Sequence, residues 1–375
     1  MASGIRIALF TDTFVPQVNG VARTLDRFAD ALRSRGGDVR VFTTSDPQSD
    51  ARETGVTRFP SIPFWGDPHL RMAPVFTARA RRALEAYAPS VAFVATPFGI
   101  GLAGRSAALA LGIPLVTSYH THFAAYARYY GLKLVEPFSW GALRWFHNAG
   151  LRTYCPTRTV ARELAAHGIA NATLWSRGVE HARFHPGHRS RALRHALGAG
   201  DDRVLVVYVG RISREKNIDL ALRAMRIANR TLPGRFTFAF AGDGPYMKRA
   251  RATAPAGTAF TGRLGGVPLS EFYASADLML FPSTTDTFGN VLLEALASGV
   301  AVIAAQSGPT AEIIAPGTGT LVAADDADAM AAEMVALALD GGRRRGIGAA
   351  ALRAAASFNW DAVFDRLIED LRAVV

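Results

Sequence analysis

The chain opens on a short apolar run, Ile5-Arg6-Ile7-Ala8-Leu9-Phe10, and runs of the same kind return at intervals along its length. Apolar runs of about four to six residues, bounded by glycine, proline or small polar residues, predict buried strands. Apolar positions three and four apart between them predict helices. In the first half this pattern gives strands at Ile5–Phe10, Val39–Thr43, Val91–Ala95, Leu115–Tyr119 and Thr153–Pro156. The intervening helices cover Ala22–Ser34, Ala78–Ala86, Gly101–Leu111 and Thr157–His167. In the second half strands are predicted at Val204–Val209, Phe236–Ala241, Ala259–Thr261, Asp277–Phe281 and Val300–Ala304. Helices are predicted at Ile218–Arg230, Asn290–Ala297, Ala327–Ala356 and Trp360–Val374, with a basic bend at Gly342-Arg343-Arg344-Arg345-Gly346. Strands alternating with helices imply parallel sheets joined by right-handed crossovers, so the fold class is α/β. Residues 46–75 are polar and proline-containing and read as a long connection.

At 375 residues the chain exceeds one ordinary core. The pattern breaks in the Pro/Gly/His-rich stretch that runs to His188, which predicts two Rossmann-like domains, 1–186 and 187–359, each with its own parallel sheet and facing the other across a cleft. No residue-level repeat links the halves.

Charge and composition narrow the class. The net charge is +11, and residues 1–185 hold 21 Arg/Lys against 12 Asp/Glu. A basic first half favours an anionic partner. The aromatics are not interleaved with the basic residues and no nucleic-acid motif is present, so nucleic acid is not expected. Arg79, Arg81 and Arg82 spread over a broad helix face, read as solvated, with a membrane-surface face as the sharper alternative. The aromatic-rich stretch 124–150 is either core or an apolar acceptor groove. One cysteine, Cys155, reads as a small buried hydrophobe. No apolar run reaches the ~18 residues a membrane helix needs, and no signal-peptide pattern precedes the first strand, so a cytoplasmic location is expected.

The chemistry concentrates in loops after strands, where open α/β sheets bind ligands. Asp286-Thr287-Phe288-Gly289-Asn290-Val291 leads into a helix whose unpaired N–H groups suit an anion. Asp286 and Glu294 bracket that helix start, and carboxylates accept hydrogen bonds from hydroxyl-rich ligands. Arg211 and Lys216 lie five apart in one loop and can both neutralise a diphosphate. Gly20, Gly242, Gly244 and Gly262 let backbone approach a ligand closely. His120 ends a strand and reads as a polar ligand contact. Together with His122 it could ligate a metal, but no carboxylate or cysteine is adjacent, so no metal is expected.

These pieces together resemble the retaining nucleotide-sugar glycosyltransferases of family 4. The matching segments are Asn19-Gly20-Val21, Tyr119-His120-Thr121, Arg177-Gly178-Val179, Gly210-Arg211 with Glu215-Lys216-Asn217, Gly242-Asp243-Gly244-Pro245, and Asp286 through Gly299. Asp286 stands where the family's paired-acid pattern usually has Glu. The resemblance implies a GT-B fold whose terminal helix, 360–375, returns to the first, acceptor-side domain, with the nucleotide sugar on the second. It implies that Arg211 and Lys216 bind the donor diphosphate with the N–H groups of Phe288, Gly289, Asn290 and Val291. Asp286 would contact sugar hydroxyls, with Thr287 beside it. Glu294 would hold the ribose, and Gly262-Arg263 would lie along the base. Gly20 would approach the diphosphate, and His120 would sit against the sugar. The expected reaction moves a hexose, mannose from GDP-mannose, to a hydroxyl acceptor, without cofactor or metal and with retention of configuration. The acceptor class is a lipid-linked, glycan or small-molecule hydroxyl, with an anionic membrane surface at the inner face as a further partner. A UDP-sugar enzyme acting on a soluble acceptor and a non-catalytic nucleotide-sugar-binding protein are the alternatives.

Overall fold

The computed structural model describes residues 4–17, 19–50, 53–64, 67–122 and 136–375. They form two compact units. The first comprises the chain through Ser176 together with Asp361–Val375, and the second runs from Arg177 to Trp360.

The first unit is built on a seven-stranded parallel sheet. Its strands are β1 (Arg6–Phe10), β2 (Asp38–Thr44), β3 (Val56–Phe59), β6 (Val91–Val94), β7 (Leu115–Ser118), β8 (Arg152–Cys155) and β9 (Ala172–Leu174), and β4 (Ile62–Phe64) and β5 (Asp67–Met72) form a separate antiparallel pair. The order β3-β2-β1-β6-β7-β8-β9 places β1 between β2 and β6, so crossovers leave β1 in both directions. The helices are α1 (Gly20–Ser34), α2 (Thr77–Tyr87), α3 (Gly99–Ala110), α4 (Glu136–His147) and α5 (Arg158–Ala166). Central strands such as β6 are buried at every position, which is why they read as unbroken apolar runs rather than alternating ones. The polar connection expected over 46–75 carries β3, β4, β5 and Arg71, whose guanidinium donates to the Ser61 hydroxyl at 2.9 Å and to its carbonyl at 2.6 Å. These strands are short and lie at the sheet edge or outside it, so their sequences carry no buried run.

The second unit repeats the plan with six parallel strands: β10 (Val204–Val209), β11 (Phe236–Ala241), β12 (Ala259–Gly262), β13 (Leu278–Phe281), β14 (Ala301–Ala305) and β15 (Thr320–Val322). Their order, β12-β11-β10-β13-β14-β15, sets β10 beside both β11 and β13. Helices α6 (Arg191–Ala196), α7 (Ile218–Thr231), α8 (Met247–Thr253), α9 (Gly266–Ser275), α10 (Asn290–Ala297), α11 (Gly308–Ile313), α12 (Ala327–Leu339) and α13 (Gly341–Ala355) accompany the sheet. One apolar core gathers Leu205, Val207, Met279, Leu292 and Leu296 on one face, and another gathers Val206, Tyr208, Met225, Leu280 and Met330 on the other. Residues 177–186 join this unit through contacts. The Val179 N–H donates to the Phe358 carbonyl at 3.0 Å, and Phe184 meets Tyr273 edge-on. A buried guanidinium fastens α6 to the sheet: Arg194 donates to Asp277 at 2.8 Å and to the carbonyls of Gly200, Ser275 and Arg203. The long Ala-rich helix expected over 327–356 is two helices. Asp340 ends the first and its Oδ1 accepts from the Arg343 N–H at 2.8 Å, capping the second, so the Gly-Arg-Arg-Arg-Gly segment is a helix start and not a bend.

The terminal helix α14 (Trp360–Arg372) carries residues 361–372 onto the first unit, as expected. Phe364 packs on Phe28, the Tyr154 hydroxyl donates to Asp370 at 2.6 Å, and Arg35 pairs with Asp361 at 3.0 Å and Asp365 at 2.5 Å. No helix among the described residues is long and apolar enough to cross a membrane.

Candidate active site

In an open α/β sheet the crevice forms where crossovers diverge, outside the carboxyl ends of two neighbouring strands. In the second unit those strands are β10 and β13, and their loops carry most of the residues singled out in the sequence. After β10 the chain turns through Gly210 and Arg211 into a short 3-10 turn at Arg214–Lys216. Asn217 closes that turn with φ of +52°, a left-handed conformation that asparagine tolerates. The turn is held from inside. Ser213 donates to buried Glu215 at 2.6 Å, and the Thr285 hydroxyl donates to the Glu215 carbonyl at 3.0 Å. The Arg211 carbonyl accepts from the Tyr208 hydroxyl at 2.8 Å. Burial pushes that phenol well above its ordinary range despite the cation of Lys216 nearby.

The loop after β13 is equally pinned. Phe288 and Thr287 are buried, and Phe288 belongs to the apolar core. Gly289 follows with φ of +97°, and a Cβ there would lie 3.2 Å from a Leu292 methyl and 3.3 Å from the Phe281 ring. The conformation favours glycine, and a side chain would also press on both neighbours. No side chain among the described residues caps the first N–H groups of helix α10, which leaves the donors of Asn290 and Val291 for a ligand.

The two loops meet at Lys216 and Asp286, whose ammonium and carboxylate Oδ1 are 2.6 Å apart with side chains 16% and 22% exposed. The pair fixes the Lys216 ammonium beside the β13 loop. It also leaves Asp286 Oδ2, which is buried and has no partner among the described residues. Glu294, one turn into α10, is placed by Tyr273 of α9, whose hydroxyl donates to its Oε2 at 2.8 Å. Tyr273 is the one functional candidate in this unit that the sequence did not suggest. It lies 21 residues before its partner, in a segment whose helix carries no distinctive motif. Gly242 and Gly262 follow β11 and β12. A Cβ on Gly242 would come within 1.8 Å of the Gly210 carbonyl oxygen, and its N–H donates to the Gly262 carbonyl at 2.8 Å. Gly242 thus lets three strand-end loops pack together. Gly262 has φ of +75° with open space beside it, and Arg263 is exposed next to it.

The first unit presents its own strand-end residues. Asn19 caps α1 by accepting from the Ala22 N–H at 2.8 Å, and Gly20 is exposed at the helix start. Asp12, in the loop after β1, accepts from the Thr96 hydroxyl at 2.6 Å and from the N–H groups of Ile100 and Gly101, tying the β1 and β6 loops together. Burial raises its carboxyl above the ordinary value although those hydrogen bonds oppose the shift. His120 follows β7, with Nε2 2.8 Å from the Ser118 hydroxyl and its ring edge-on to Trp175. His122 turns the other way, its Nε2 2.8 Å from both oxygens of Glu163. That carboxylate is distant in sequence, yet among the described residues no group of three or more His, Cys, Asp or Glu gathers to hold a metal. Cys155 is buried, as expected. The aromatic stretch divides where it is described. Trp140 and Phe146 are buried, while Phe138 and Trp145 are 77% and 57% exposed.

Comparison with known proteins bears on this arrangement. Residues 18–183 match the family described as Glycosyltransferase Family 4, and residues 203–340 match that described as Glycosyl transferases group 1. The chain is 32% identical over 380 residues to a GDP-mannose-dependent alpha-mannosyltransferase of Mycobacterium tuberculosis (strain CDC 1551 / Oshkosh), covering 99% of this chain and 97% of that protein. It is 32% identical to the sulfoquinovosyl transferase SQD2 of Arabidopsis thaliana, covering 96% of this chain and 72% of that protein. Among solved structures, Anabaena Alr3699/HepE in complex with UDP-glucose superposes with a TM-score of 0.78 at 20% identity, covering 99% and 100% of the two chains, a likeness of fold. On the full-length relatives, the two family matches and the paired parallel-sheet units, the chain is a glycosyltransferase of family 4 with the GT-B fold.

Proposed function

We propose that this enzyme transfers a hexose, mannose from GDP-mannose, to a hydroxyl acceptor with retention of anomeric configuration and without a metal. The observation that carries the donor assignment is the junction of the β10 and β13 loops, where Lys216, Asp286 and the uncapped start of α10 adjoin. Breaking a sugar–phosphate bond leaves an oxocarbenium-like sugar and a diphosphate carrying added negative charge. The Lys216 ammonium, the Arg211 guanidinium and the N–H groups at the α10 start stabilise that charge. Removing one such preorganised donor typically costs ~10²–10³ in rate. With a cation and a helix start supplying the charge, the leaving group needs no divalent ion. Asp286, whose Oδ1 orients Lys216, offers Oδ2 to the sugar. Glu294, oriented by Tyr273, holds the ribose through its carboxylate, and Gly262-Arg263 flanks the base. His120, oriented by Ser118, and Gly20 are assigned to the sugar and the diphosphate by the family resemblance alone. Neither Asp286 nor Glu294 serves as a nucleophile: the acceptor oxygen attacks the anomeric carbon on the face the diphosphate leaves, and the departing phosphate oxygen takes the acceptor proton.

The choice of mannose rests on the relatives named as GDP-mannose-dependent mannosyltransferases. A lipid-linked acceptor is supported by the excess of basic residues in the first half and by exposed Phe138 and Trp145 on α4, features suited to an anionic surface. Accordingly the enzyme works in the cytoplasm, peripherally on the inner face of the membrane. The test is incubation of the purified protein with GDP-mannose, UDP-glucose and ADP-glucose in parallel, with and without EDTA and anionic lipid vesicles. The expected result is nucleoside diphosphate release from GDP-mannose that persists in EDTA, with an α-linked product by NMR. Release from a UDP-sugar alone would replace the donor. Release from none would overturn the catalytic assignment.

A further inference from the structure

Two buried polar side-chain atoms in the donor loop lack partners. Asp286 Oδ2 and Asn290 Oδ1 are both shut off from solvent, and neither meets a hydrogen-bond donor among the described residues. An unmet polar atom in a protein interior costs free energy, commonly ~1–3 kcal/mol, so it points to a partner that arrives later. The two residues lie four apart and flank Gly289, whose left-handed backbone turns the chain into α10. Asn290 is the first residue of that helix, where its own N–H needs no side chain. For Asn290 the conclusion does not depend on which way the amide is turned. Its Nδ2 makes no hydrogen bond to the described residues either, so exchanging the two amide atoms would bury an unmet donor instead.

The chemistry selects the partner. Asp286 has one oxygen committed to Lys216, and the other can only accept. Asn290 can accept and donate. A sugar ring offers neighbouring hydroxyls that donate and accept in the same way, whereas a diphosphate offers acceptors alone and would repel the carboxylate. We infer that the Asn290 side-chain amide, together with Asp286 Oδ2, reads hydroxyl groups on the sugar ring of the donor, making Asn290 a specificity-determining residue beyond its backbone N–H. This rests on the nucleotide-sugar assignment of the site. Because Lys216 holds Asp286 on one side, the carboxylate is fixed, and Asn290 is the residue whose replacement alters hydroxyl recognition without changing the site's charge.

The experiment compares the wild type with Asn290→Ala and Asn290→Ser, using GDP-mannose and UDP-glucose, their free diphosphates GDP and UDP, and monodeoxy analogues of the accepted donor. Thermal shift with the free diphosphate reports folding and an intact phosphate site. The expected result is a diphosphate affinity within about twofold of wild type, and kcat/KM for the intact donor down roughly 10–100-fold, the size of one lost buried hydrogen bond. One deoxy analogue should react equally well with wild type and variants, which identifies the hydroxyl read. Unchanged kcat/KM in both variants, or equal losses for diphosphate and donor, would overturn the inference while leaving the nucleotide-sugar assignment standing. A wild-type protein that binds neither diphosphate and turns over neither donor would overturn both.

Discussion

His147 gives a stability prediction whose size follows from its surroundings. It ends α4 with 1% of its surface exposed, Nδ1 2.8 Å from the Thr117 hydroxyl and its ring between Phe146 and Tyr119. Nε2 is buried with no partner among the described residues, so an imidazolium proton would sit there unmet. Burial pushes the imidazole down from 6.5 to about 3. The folded value lies below the unfolded one, so on acidification the unfolded chain takes up the proton first. The neutral imidazole's contribution is present above pH 6.5 and is lost progressively below it. Between pH 7 and pH 5 nearly one and a half pH units lie under the unfolded value, at about 1.4 kcal/mol each, for a loss of about 2 kcal/mol. Urea denaturation at both pH values, on the wild type and on His147→Gln, isolates this term. The other eight of the nine histidines are common to both proteins, so their contributions cancel in the comparison. The wild type should lose about 2 kcal/mol more than the variant. Parallel losses would show that His147 accepts a proton in the folded protein and would refute the argument.

Other substitutions probe the scaffold around the donor loops. Gly242→Ala should lower the melting temperature by several degrees in calorimetry, because its Cβ meets a backbone oxygen at 1.8 Å and φ is +149°. A melting point within a degree of wild type would count against the loop packing described. Arg194→Met leaves the largely buried Asp277 with exposed Arg189 as its ion-pair partner beside the Leu205 N–H, and frees three carbonyls, so a loss of ~3–5 kcal/mol in urea denaturation is expected. A loss under ~1 kcal/mol would contradict that. Tyr273→Phe removes the donor that orients Glu294. It should raise the KM for the nucleotide sugar about tenfold with little change in melting temperature, and an unchanged KM would remove Tyr273 from the site.

Much of the fold is visible in the sequence because central parallel strands are buried on both faces. Val204–Val209 and Phe236–Ala241 therefore announce themselves as unbroken apolar runs. Strands β3, β4, β5 and β9 are short and partly exposed, and nothing in their composition separates them from loops. The candidate residues were also conspicuous, as glycines, basic residues and acids standing after strands. Their pairings were not. Lys216 meets Asp286 across 70 residues only because β13 returns to the side of β10 that β11 left open, and sheet order is not a local property. The same holds for Tyr273 with Glu294. Gly242 illustrates the opposite difficulty. The residue was conspicuous, but its contact is with another loop's backbone, which the motif alone could not distinguish from approach to a ligand.

Calorimetric titration of GDP and UDP into the wild type, Lys216→Gln and Arg211→Gln tests the donor assignment most directly. It measures binding at the β10 and β13 loops without requiring the acceptor. The wild type should bind at least one of the two diphosphates saturably with one-to-one stoichiometry, and each substitution should weaken that binding at least tenfold, the loss expected for a charge-assisted hydrogen bond of ~1.5–3 kcal/mol. Binding of neither diphosphate, or binding that both substitutions leave intact, would contradict it.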